Sequence, residues 1–188
     1  ENRVPIQGTQ LDFACDTLLL SVGLIPENEL TQQAGICMDS RTGGAVVYEN
    51  MQTQLPGIFA CGNVAHVHDL VDFVTRSGVQ AGNAAANYAM QQHHDPRIQI
   101  ELQAEDSFLY VVPQKIEIQD KSDITIYFRS RQTMGKCCCE LILDGICVFS
   151  KTYAALQPPE MQKLVIKASL LPLTASSQLC MRLQEVSL

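Results

Sequence analysis

Residues 53 to 64, which read Thr-Gln-Leu-Pro-Gly-Ile-Phe-Ala-Cys-Gly-Asn-Val, constrain this chain more than any other stretch. A polar turn with Pro56 and Gly57 leads into a short apolar run, Ile58 to Cys61. The run stops at Gly62-Asn63, and a long helix rich in small residues follows. The pattern predicts a buried strand feeding a turn and then a helix. Ligands of open α/β sheets bind in the crevice outside the carboxyl ends of the strands. Gly62 lets backbone approach a bound group with no Cβ in the way, and Asn63 offers a donor and an acceptor at the same point. A tight turn between two core elements accounts for the pattern equally well.

The words around that stretch resemble a known motif. Thr53, Gly57-Ile58-Phe59-Ala60, Cys61 and Gly62-Asn63 look like the second flavin-binding motif of the pyridine nucleotide-disulfide oxidoreductase superfamily, whose strand reads Thr…Gly-Ile-Tyr-Ala-x-Gly-Asp. In that family the acid bonds the ribityl chain of FAD; Asn63 stands in its place and still bonds a hydroxyl. The flanking segments, 19–28 and 66–72, are similar to a branch related to opine oxidase and hydrogen cyanide synthase subunits and to glycerol-operon flavoproteins. The resemblance is strong over residues 10 to 92. It also implies that Gly23, after Ser21-Val22 and before Pro26 and Asn28, marks the return from an NAD-type domain to the FAD domain. Glu27 is an insertion relative to the family spacing.

The resemblance implies hydride transfer through FAD with NAD(P)H as the electron partner. Its cofactor-binding residues would be Gly23, Thr53, Ala60, Cys61, Gly62, Asn63, Val71, Asp72 and Phe73. The amides of Val71 to Phe73, at the positive end of a helix, would face the flavin's pyrimidine edge. His66 and His68 would flank that edge as general acid or base. Against that stands a solvated loop, or histidines tied to Asp69 or Asp72. Two family features are missing from the sequence: a Gly-x-Gly-x-x-Gly fingerprint, which each dinucleotide site needs, and a redox dithiol. The expectation is therefore the C-terminal part of a flavoprotein, supplying the ribityl and isoalloxazine side of the FAD site, with the missing N-terminal part, self-association or other subunits as its partners. The alternative is a non-catalytic assembly module built on a degenerate nucleotide-binding half-domain.

Composition narrows the classes. A chain of 188 residues, 46% hydrophobic, can bury a core. A net charge of −7 argues against nucleic acid. No apolar run reaches membrane-span length. The eight cysteines form no Cys-x-x-Cys, so neither a zinc site nor a dithiol is signalled, and a reducing cytoplasm is the expected compartment. Cys137 to Cys139 alternate in a strand-like run and suit small apolar fillers.

Charge divides the chain. Residues 1–100 carry net −6 and no Lys, whereas residues 101–188 carry net −1. The expected organisation is α/β plus all-β: a partial FAD/NAD(P)-binding Rossmann-like domain over 1–100, then a small antiparallel β-sandwich over 101–188. Within the first part, 1–25 would end the NAD-type domain and 26–100 would be the FAD half. Asp16 to Val22 reads as a buried parallel strand. A short helix opens at Pro26 and ends at Gly35. Residues 36–48 read as a hairpin around Gly43-Gly44. A helix runs from Val71 or Thr75 to Gln92, its Gly78 and Gly82 implying close packing. His93-His94 would be a solvated helix end. The polar run 99–106 reads as an exposed joint. Six strands are expected beyond it, at 108–112, 124–129, 137–143, 146–151, 164–168 and 179–185, with Asp144-Gly145 as a hairpin turn. The sandwich holds no histidine and reads as a docking or capping module.

Overall fold

The computed structural model describes residues 5–20, 23–90, 99–117 and 123–186. Ser21, Val22, Gln92 and the His93-His94 pair lie outside them. The element order is α1 (Glu29–Gln33), α2 (Val71–Met90), then β1 (Gln99–Ala104), β2 (Phe108–Val112), β3 (Lys115–Glu117), β4 (Ile124–Ser130), β5 (Cys137–Leu143), β6 (Ile146–Tyr153), β7 (Gln162–Ile166) and β8 (Leu179–Glu185).

The strands form two sheets, ordered β3-β1-β8-β5-β6 and β2-β4-β7. Their inner faces share one core, because alternate residues of each strand point the same way. Phe108, Ile124, Ile126, Phe128, Leu164 and Ile166 of the smaller sheet pack with Leu102, Leu141, Leu179 and Met181 of the larger one. Phe128 meets the rings of Phe108 (5.4 Å) and Tyr153 (5.9 Å) edge-on. Cys137 and Cys139 are buried fillers, and all eight cysteines are free. Asp144 (φ 50°) and Gly145 (φ 82°) make the hairpin joining β5 to β6, as a turn with two positive φ angles requires. β1 and β8 pair in parallel; the other paired strands run antiparallel.

The smaller sheet has a second buried face. Tyr110 and Val112 of β2 join a separate core with Ile36, Ala45, Val47, Met51, Ala60 and Ala81. On β4, Tyr127 and Arg129 point to this same side and are 4% and 9% exposed. The result is three layers: the large sheet, the small sheet, and residues 36–81 laid over the small sheet's outer face.

Several expectations are corrected. Residues 16–20 form no strand: Leu18, Leu19 and Leu20 are 73%, 89% and 75% exposed. A strand needs a neighbour for its backbone groups, and none lies beside this one among the described residues. With Ile58 exposed, the run Ile58 to Cys61 is no buried strand of a sheet either. It folds back on residues 51–53 through one antiparallel bridge, Gln52 to Phe59, with Ala60 N–H donating to Met51 O and Thr53 N–H to Ile58 O. The polar run at 99–106 is mostly β1 and no exposed joint, because Ile100 and Leu102 alternate into the core at 5% exposure each. β3 is a further strand not foreseen. The hairpin at 36–48 forms with one bridge, Met38 to Ala45. α1 ends before Gly35 (φ 73°).

α2 starts at the earlier expected residue. It docks through one stripe: Ser77 and Ala81 are buried, Gln80 donates to Glu49 O, and Tyr88 meets Phe59 edge-on at 6.3 Å. Gly78 and Gly82 do not mark a close approach, since a Cβ at either would meet nothing within 4 Å.

Candidate functional site

The turn after Ile58-Cys61 is a single 3-10 turn, Gly62–Val64. Gly62 holds φ +67°, which L-residues with a Cβ rarely adopt. Its amide donates to Ser77 Oγ at 3.0 Å, and a Cβ here would meet Val74 Cγ1 at 3.4 Å. The glycine therefore holds the seam between the turn and α2. Asn63 is half-buried, and its Oδ1 accepts from His68 N–H at 3.2 Å. Its Nδ2 remains a donor.

A second link holds this turn from the other side. Asn28, 5% exposed, donates from Nδ2 to Gly43 O (3.1 Å) and Val64 O (2.9 Å). There the backbones approach so closely that a Cβ on Gly44 would lie 1.8 Å from Ala65 O. Thr53 is a turn residue: its Oγ1 accepts from Leu55 N–H at 3.2 Å. Ala60 is buried and Cys61 half-buried beside the turn.

The histidines turn away from solvent. His66 is 1% and His68 7% exposed, and their rings stack at 4.0 Å with 28° between planes. Tyr110 and Tyr127 close over them, with centroids 5.8 and 5.7 Å from His66. Phe73 packs on Tyr127 at 5.8 Å. Among the described residues, His66 Nδ1 and both ring nitrogens of His68 have no hydrogen-bond partner. Burial above all, then the neighbouring His68, pushes the His66 pKa down to about 3; burial also lowers that of His68. Both rings are neutral near pH 7 and face the sandwich.

Neither Asp69 nor Asp72 ties them. The Asp69 carboxylate pairs with the Arg129 guanidinium and accepts from Met161 N–H at 2.7 Å. Arg129 Nε donates to Tyr110 Oη at 2.8 Å, and its Nη1 donates to Pro159 O. One guanidinium thus joins the histidine loop, β2 and the turn before β7. Burial disfavours the Arg129 charge, but Tyr110 and Asp69 outweigh it and raise its pKa. Arg129 stands on the polar side of the 124–130 alternation, where a charge ordinarily faces solvent, so its burial is set by the loop laid over this face and not by any local pattern.

The remaining predicted residues lie apart. Gly23 is exposed with φ 117°. Val71 and Asp72 are exposed at the start of α2, and their amides have no acceptor among the described residues; the Phe73 amide bonds Leu70 O at 3.0 Å. A cleft of about 400 Å³ lies elsewhere, lined by Arg41, Glu101, Gln114 and Lys115 among others, and holds none of the predicted site residues. No group of metal-ligating side chains occurs among the described residues. No helix among them is long and apolar enough to cross a membrane.

Residues 2–93 match the family described as Pyridine nucleotide-disulphide oxidoreductase. Over 88 residues, the chain is 31% identical to the Nitrite reductase [NAD(P)H] of Neurospora crassa. That alignment takes in 46% of this chain but only 8% of the fungal protein. No solved structure matches. The matched segment ends at residue 93, before β1 opens at Gln99.

Proposed function

We propose that this chain is part of a flavin-dependent, NAD(P)H-linked oxidoreductase. In this reading, residues up to about 100 give the ribityl and isoalloxazine side of an FAD site, and residues 101–188 are a docking module. The observation that carries it is the family match over residues 2–93, a family that typically binds FAD and NAD(P)H. The donors free to meet FAD are Asn63 Nδ2 and the amides of Val71 and Asp72. They suit hydroxyl and carbonyl oxygens of the ribityl chain and pyrimidine edge. Gly62 and Phe73 have their amides occupied and leave the ligand set. Bound FAD would supply the hydride-accepting ring; the chain's part is orientation and partial positive charge. His66 and His68 would act on a proton only after the loop leaves the sandwich.

The exposed side chains of Leu18, Leu19, Leu20, Leu24 and Ile25 and the uncovered outer stripe of α2 supply a surface for the rest of the cofactor domain or for a second copy. A second reading has its own support. Gly62 and the histidines serve internal packing, which fits an assembly module with a degenerate nucleotide-binding half. The two part on colour. The full-length protein should purify yellow, and Asn63→Asp in it should retain flavin, since one carboxylate oxygen keeps the acceptor for His68 N–H and the other accepts from a ribityl hydroxyl in place of the lost Nδ2 donor. A colourless full-length protein that co-purifies with another chain would establish the second reading instead.

A further inference from the structure

The seam between the histidine loop and the small sheet has an unusual construction. Its hydrogen bonds concentrate at one end, where Asp69, Arg129, Tyr110 and Met161 N–H meet. The other end is two stacked imidazoles under two tyrosines, with three buried ring nitrogens unpaired. Such a stack is stable only while both rings are neutral. Adding a proton places a cation against a second imidazole and near a guanidinium, with the backbone of residues 66 and 67 as its nearest hydrogen-bonding groups and no free carboxylate.

We propose that this seam is an acid-released latch: protonation of the His66–His68 stack detaches residues 62–70 from β2, β4 and the turn at Pro158-Pro159 while both sheets stay folded. The groups facing the stack bear this out. Among the described residues, Asp69 on the same loop is the sole carboxylate acting on it, and that acid is engaged by Arg129 and Met161 N–H. From β2 comes Tyr110, from β4 come Tyr127 and Arg129, and Arg76 of α2 acts on Tyr127. None can accept the new charge as a free carboxylate would. Burial already holds His66 far below an ordinary histidine, so the closed latch resists the proton and the open one takes it. The sandwich core holds no histidine and does not share the response.

Release would reach the turn ahead of the loop, because Asn63 Oδ1 is anchored on His68 N–H. Acid would free both ends of the Asn63 carboxamide and expose two imidazoles beside it. This step stands whether or not the chain takes flavin.

Hydrogen exchange read by mass spectrometry on the whole chain, from pH 7.5 to 5 and corrected for intrinsic rates, tests it. The opening constant of peptides within 62–70 should rise about tenfold per pH unit below 6.5, as release of one proton-linked contact requires. Peptides from β5 and β8 should keep their protection. In His66→Phe/His68→Phe the loop should stay closed across the range. If that variant does not fold, imidazole titration by NMR on the unaltered chain decides. Midpoints for both buried rings at or above 6.5, loop protection unchanged with pH, or simultaneous loss in loop and sheets would each overturn the latch.

Discussion

Residues 99–186 and residues 5–90 are similarly rich in aliphatic side chains, yet only the first set encloses them. In the sandwich, Leu141, Leu164, Leu179 and Leu183 alternate into a core shared by two sheets. In the first half, Leu18, Leu19, Leu20, Leu24 and Leu30 stand in solvent, and α2 buries only Ser77 and Ala81. The difference is one of available neighbours, not of composition. Each sandwich strand finds a partner within the chain, so its backbone groups are bonded and one face becomes interior. Residues 36–81 solve the problem differently, by packing on the outer face of β2 and β4. Residues 5–20 have no such surface among the described residues.

The largest test of that contrast is a matched pair of truncations. Phe128→Ala removes a ring buried between both sheets and should cost about 3–5 kcal/mol. Leu19→Ala removes a side chain 89% exposed and should change stability by less than about 0.5 kcal/mol. Urea unfolding of the two variants checks both. A large loss from Leu19→Ala would mean that its exposed segment is packed in solution.

The next effect is smaller and confined to one side. His66 has a folded pKa near 3 and an ordinary one of 6.5. Its stabilisation is present above 6.5 and is lost as pH falls from there toward 3. The slope is up to about 1.4 kcal/mol per pH unit, so roughly 2 kcal/mol is lost by pH 5. The loss should fall on the attachment of residues 62–70, because residues 101–188 carry no histidine. His66→Phe should flatten the pH dependence of urea unfolding over that range, while Phe128→Ala should leave its slope unchanged.

Legibility in the sequence followed the same division. The six strands expected beyond residue 107 are present, because alternation and the Asp144-Gly145 turn are local signals. β1 was hidden: Gln99, Glu101 and Gln103 mark only its outer face, while Ile100 and Leu102 carry the inward one. In the first half, Asp16 to Val22 reads as a strand from its apolar run, yet its described residues 16–20 form none, since strand formation depends on a partner that no local pattern reveals. The helix after Asn63 and the hairpin at 36–48 were legible. The burial of His66 and His68 was not, since it is imposed by Tyr110, Tyr127 and Arg129, far along the chain. Asn28 was recognisable by its motif, but its double bond to Gly43 and Val64 belongs to the fold.

The smallest expected effect is none at all, and it bears on the cofactor. Purified alone, this chain should not bind FAD stoichiometrically or oxidise NADH. FAD is long and held at two ends. Its pyrophosphate end needs backbone amides at a helix N-terminus after a glycine turn, and the sequence has no Gly-x-Gly-x-x-Gly. At the ribityl end, Asn63 Nδ2 and the amides of Val71 and Asp72 give a few bonds, each about 0.5–1.5 kcal/mol net. Immobilising the ligand costs roughly 4–15 kcal/mol, so the bonds fall short. The exposed leucines should instead bring copies together, because the side chains of Leu18, Leu19, Leu20, Leu24 and Ile25 gain by leaving water. Light scattering after size exclusion, beside a flavin titration, checks both. A monodisperse monomer that binds FAD tightly would erase the contrast between the two halves, since it would require residues 5–90 to build a closed cofactor site by themselves.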